Sequence, residues 1–117
     1  NNLADFGTIW EKETGGLPLP LGLDCVRKDM GADTARTISQ ALRDSIKAAY
    51  DFEQDSVEYA LQWGRGIDHP TGVRFVKMYV NDVTIDMGER GKKALEYLYN
   101  LGAKHNIIPP VGPIELY

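Results

Sequence analysis

Two prolines inside the run Leu17-Pro18-Leu19-Pro20-Leu21-Gly22 restrict this chain more than any other feature. Each proline lacks a backbone N–H, and two residues apart they delete donors from the same edge of any strand they enter. Such a segment cannot pair fully on that side, so it has to border solvent or a cleft. Leu17, Leu19 and Leu21 share the opposite face by alternation. Asp24 falls on the face of Pro18, Pro20 and Gly22. A carboxylate is costly to bury without a partner, so that face reads as wet or ligand-facing.

With 117 residues, 43% hydrophobic and 26% charged, the chain has the composition of an ordinary globular domain. A chain of this size can bury about two thirds of its unfolded surface without staples. The formal charge is −4 and the basic residues are scattered, which argues against nucleic acid as a partner. Cys25 is the single cysteine, so an intrachain disulfide is excluded, and a small apolar core residue is the expected role. No apolar run approaches the ~18 residues of a membrane span, and no leader pattern is visible. A cytoplasmic location without membrane contact is expected. The opening Asn1, followed directly by a helical pattern, reads as a piece of a longer polypeptide.

Leu3, Phe6, Ile9 and Trp10 recur at helical spacing, and Gly15-Gly16 supplies a glycine cap. A strand is predicted from Leu17 to Arg27, with a turn at residues 28–31. Asp33 is the expected N-cap of a helix from Thr34 to Phe52, striped by Ile38, Leu42, Ile46, Ala49 and Tyr50. A second helix is predicted from Asp55, boxed by Glu58 and ended by Gly64, and a third opens at Pro70 and ends near Asn81. Asp86 is the expected cap of a fourth, with Ala94, Leu95, Leu98 and Leu101 inward and Gly102 weakening its end. Trp63, Phe75, Tyr79, Tyr97 and Tyr99 are assigned to core packing. The prolines of the tail predict an extended segment.

The chain therefore offers one strand, which cannot stand alone. Its partners have to come from an upstream part of the polypeptide or from another copy, and an apolar edge left open leaves room for a homo-oligomer. Chemistry-bearing clusters are scarce. His69 reads as the start of a helix and His105 as a cation near a helix C-terminus, and neither has metal-ligand spacing. No phosphate loop or nucleophile elbow is present. No metal and no organic cofactor are expected.

The stretch "ETGGLPLPLGLDCVRKDMG" resembles a signature of the 1,4-dihydroxy-6-naphthoate synthases of the futalosine route to menaquinone, and "FVKMYVNDVTIDMGERGKKAL" is similar to their second one. The resemblance implies an α/β, periplasmic-binding-protein-like (type II) fold of two lobes. This chain would be its mostly helical C-terminal part and complete the first lobe. Residues 1–16 would give a helix and turn, 17–29 a cleft-lining strand, 33–106 helices and 107–117 the extended tail. It also implies a carbon-carbon lyase splitting cyclic dehypoxanthine futalosine, with a catalytic histidine upstream of this chain and no activity in the piece alone. The small-molecule substrate would lie in the interlobe cleft against Pro18, Leu19, Pro20, Leu21, Gly22 and Asp24. Asp24 stands where the family has an amide, and Gly15-Gly16 where it has one glycine. Two alternatives share the fold: a chorismate dehydratase of the same pathway, and a solute-binding protein without catalysis. A helical interaction domain is the third.

Overall fold

A computed structural model describes residues 3–117. Among the described residues six α-helices form: α1 (Phe6–Thr14), α2 (Ala32–Asp51), α3 (Glu53–Leu61), α4 (His69–Tyr79), α5 (Asp82–Ile85) and α6 (Gly88–Lys104), with a short 3-10 turn at Lys28–Met30 ahead of α2. None of the described helices is long and apolar enough to cross a membrane.

The helix starts show which side chains win the free N–H groups of a first turn. Asp5 caps α1 by accepting the Thr8 N–H at 2.8 Å. Asp68 caps α4 through the Thr71 N–H at 2.9 Å, with Pro70 in the first turn as expected. Asn81 and Thr84 form a reciprocal capping box on α5. Three expected caps are displaced. Helix α2 starts a turn position earlier, with Gly31 at the cap, and Asp33 in the first turn instead pairs with Arg36 at 2.7 Å. Helix α3 starts at Glu53 behind Phe52, so Asp55 and Glu58 make no box. Met87, not Asp86, occupies the cap of α6.

The described residues contain no strand, and this overturns the expected α/β, periplasmic-binding-protein-like (type II) fold with its long strand over 17–29. The physical reason lies in the ladder. A strand exists only where a neighbour accepts and donates, Pro18 and Pro20 have no N–H to donate, and the nearby polar groups of the main chain are bonded to side chains of α1 and α6. Residues 17–27 are irregular up to the 3-10 turn.

Two compact units form. The first comprises the described residues up to Val26 together with Met87–Leu116. Its buried residues are Trp10 of α1 and Gly91, Ala94 and Leu95 of α6. The Trp10 ring meets the Tyr97 ring edge-on at 5.5 Å and 84°, an arrangement the ring quadrupoles favour. The tail is irregular and turns back at His105 and Asn106. Gly102 stays helical there, with Ile108 packed against it: a β-carbon at Gly102 would lie 3.0 Å from the Ile108 side chain.

The second unit comprises Arg27–Asp86 and Tyr117. Gly72 of α4 faces Leu61 of α3 so closely that a β-carbon would stand 2.7 Å from Leu61 Cδ2. Val57 is buried at 4% exposure, Glu53 and Lys77 pair at 3.0 Å, and the Tyr50 hydroxyl donates to the Val80 carbonyl at 3.0 Å. The main-chain oxygen of Tyr117 accepts from Ser39 and from Arg43. The expected aromatic core is absent here: Trp63 is 74% exposed, and Phe75 and Tyr79 lie mostly open. Cys25, in the first unit, is exposed as well rather than buried.

Candidate functional site

The segment from Thr14 to Pro20 is held by side chains on both sides. Helix α1 ends because Gly15 takes the left-handed conformation, φ +68°, and Gly16 follows at φ +95°. A β-carbon is strained in that region, so the doubled glycine is what lets the chain reverse there. The Gly16 N–H returns to the Glu11 carbonyl at 3.0 Å. Thr14 Oγ1 donates to the Trp10 carbonyl at 2.7 Å and accepts the Leu17 N–H at 3.1 Å. Trp10 Nε1 donates to the Pro18 carbonyl at 3.1 Å. From α6, Arg90 Nη2 donates to the Gly16 carbonyl at 2.8 Å.

The six residues predicted to contact a ligand divide into two groups. Pro18, Leu19 and Pro20 are half-buried, and Leu19 lines a cleft of about 470 Å³ in the first unit with Phe6, Ile9, Trp10, Glu13, Tyr97, Leu101 and His105. Leu21, Gly22 and Asp24 are exposed beyond it, Leu21 by 70%. His105 caps the C-terminal end of α6 and His69 is the first residue of α4, both where their helical contexts pointed. His105 also borders the cleft, which helical spacing did not reveal.

Sequence reasoning missed the anchoring residues. Trp10 and Thr14 carried a usable signal, because positions four apart on a helix share a face and the pair runs straight into the glycines. Arg90 carried none, being 74 residues from its acceptor. In the second unit an apolar cleft of about 190 Å³ lies among α2, α3 and α4, walled by Val57, Val73, Val76 and Val80 and edged by Glu53 and Lys77. Among the described residues no group of three or more histidine, cysteine or carboxylate side chains is arranged to hold a metal ion.

Chemically the first unit offers a stiff apolar ledge, an aromatic cleft beside it, and one imidazole and one carboxylate at the cleft. That set can bind and orient a ring system. It contains no nucleophile held against a base.

A family model described as menaquinone biosynthesis matches residues 1–104. A protein of Streptomyces coelicolor named 1,4-dihydroxy-6-naphtoate synthase is 34% identical over 116 residues, which is 99% of this chain and 41% of the relative. A protein of the same name from Thermus thermophilus is 32% identical over 97 residues, covering 83% of this chain and 35% of the relative. The chain thus spans about two fifths or less of the curated relatives it matches. A crystal structure of an Archaeoglobus fulgidus protein superposes with a TM-score of 0.80 at 36% identity, covering 86% of this chain and 38% of that one.

Proposed function

This chain belongs to the menaquinone-biosynthesis family, and from that premise we propose that it forms part of a 1,4-dihydroxy-6-naphthoate synthase, a carbon-carbon lyase acting on cyclic dehypoxanthine futalosine. The observation that carries the reading is the match to the Streptomyces coelicolor synthase along 99% of this chain. The Leu-Pro segment supports it from the physical side.

In this reading Pro18 and Pro20 present a donor-free surface to the flat ring system of the substrate. Proline has little conformational freedom to lose, so the surface costs little entropy on binding. Leu19 packs on the aromatic cleft and fixes the segment, and Leu21, Gly22 and Asp24 border the ligand where the chain is open to water. The family resemblance implies that the proton-transfer group is a histidine upstream in the same polypeptide, and neither His69 nor His105 matches it. The piece alone is therefore inactive, and the enzyme works in the cytoplasm.

The test is turnover by the full-length protein. Purified enzyme given cyclic dehypoxanthine futalosine is expected to release 1,4-dihydroxy-6-naphthoate, and this 117-residue chain alone is expected to release none. Binding of the substrate without any turnover by the full-length protein would replace the synthase reading with a binding role.

A further inference from the structure

We infer that Trp10 and Arg90 are positioning residues: by gripping the carbonyls of Pro18 and Gly16 they set where the proline surface stands against the substrate. The inference rests on the synthase reading above and adds to it the groups that aim the wall.

Proline stiffens a segment only locally. The Leu-Pro run is joined to α1 through Gly15 and Gly16, both at positive φ and both with open space where a β-carbon would be. Two adjacent glycines with nothing packed on them form a pivot. A stiff surface on a free pivot orients nothing. Three side chains remove that freedom. Thr14 holds the Leu17 N–H, Trp10 holds the Pro18 carbonyl, and Arg90 holds the Gly16 carbonyl. With the prolines lacking donors and the Gly16 N–H returned to Glu11, Leu19 carries the one N–H between Gly16 and Pro20 without a partner among the described residues. Few N–H donors are left free along the run, so the surface it shows is poor in donors.

Arg90 is the informative member. It lies in the first turn of α6 and is exposed. A cation there opposes the helix dipole, which favours acidic groups at that end. Helix stability does not account for it, and no core packing depends on it. Its bond to a carbonyl 74 residues away does account for it. Trp10 differs, because its ring is also core. The indole N–H is the separable part: phenylalanine keeps an aromatic ring against Tyr97 and loses only the donor and some volume.

The experiment is steady-state kinetics of the full-length synthase on cyclic dehypoxanthine futalosine, with Trp10→Phe, Arg90→Gln and Arg90→Lys. Trp10→Phe and Arg90→Gln are each expected to raise KM about three- to tenfold, with kcat held within about twofold, the pattern of lost uniform binding. Arg90→Lys keeps a donor and is expected to recover part of the loss. The melting temperature of Arg90→Gln is expected to match that of the unaltered enzyme. An unchanged KM in Arg90→Gln, with the unaltered enzyme active, overturns the positioning role and leaves the synthase reading standing. An inactive unaltered enzyme overturns the synthase reading itself, and the inference with it.

Discussion

The two tryptophans measure how differently the two units are built. Trp10, in the unit made by α1, the Leu-Pro segment and α6, is 8% exposed, edge-on to Tyr97 and hydrogen-bonded to Pro18. Trp63, just after α3 in the other unit, is 74% exposed, and Phe52, Tyr59, Phe75 and Met78 of that unit stand open too. Both rings sit in helical patterns of similar appearance. The first unit closes by joining segments distant in sequence, so the Trp10 ring finds partners there, while Phe6 of the same unit stays 76% exposed. The second packs α2, α3 and α4 with contacts that are mostly local, and several of its larger side chains stay outside the close approach of Gly72 to Leu61 and the buried Val57. An apolar stripe tells which way a helix wants to face, and burial needs something to face.

The largest effect should separate the units outright. In the full-length protein Trp10→Ala is expected to lower unfolding free energy by about 3–5 kcal/mol, as loss of a large buried ring does. Trp63→Ala is expected to stay within about 0.5 kcal/mol. Denaturant titration of both variants would break the comparison if the two losses were equal.

A smaller effect sharpens the account of the second unit. If its cohesion depends on a few local bonds, Tyr50→Phe, which deletes the donor to the Val80 carbonyl, is expected to cost about 0.5–1.5 kcal/mol. No measurable change in the same titration would mean that the hydroxyl is as well served by water.

The smallest effect is one the units should share. Hydrogen bonds from Thr8, chiefly its backbone N–H, hold the Asp5 carboxyl below the usual aspartate range. Hydrogen bonds from Thr71, its side chain first, do the same for Asp68. A carboxyl whose folded pKa is lowered contributes stability that is fully present above its unfolded value, 3.8, and is lost as pH falls through the folded one. The starts of α1 and α4 should therefore loosen together on acidification. Titration of the Thr8 and Thr71 amides by NMR is expected to give midpoints below 3.8, and midpoints at or above that value would remove the caps from the account.

Much of the local structure was legible in the residues, for reasons that name themselves. Gly15 ends α1 where it was expected, and Pro70 sits in the first turn of α4. The N-caps were not legible: Asp33, Asp55 and Asp86 were expected and do not cap, whereas Asp5, Asp68 and Asn81 do. Asp33 lost its place because Gly31, at φ +81°, let the helix start earlier and Arg36 took the carboxylate. The strand over 17–27 was misread because alternation describes which residues could share a face and says nothing about whether a partner strand is there. The Leu-Pro run was visible as a proline pattern, and of the side chains that hold it only Trp10 and Thr14 carried a signal. Arg90 reaches Gly16 only once the first unit has closed, and no spacing rule connects positions 74 residues apart.

The central claim is that the Leu-Pro segment of the first unit is a stiff wall for the substrate. Kinetics of Pro18→Ala/Pro20→Ala in the full-length protein on the proposed substrate test it most directly, because the double substitution restores two N–H groups and softens the ledge while leaving Trp10, Thr14 and Arg90 in place. The account expects a raised KM and a loss in kcat/KM on the order of ten- to a hundredfold, equivalent to about 1.4–2.7 kcal/mol. Unchanged kcat/KM with increased aggregation would contradict it, and would show that the prolines serve only to keep an exposed backbone edge from pairing with another chain.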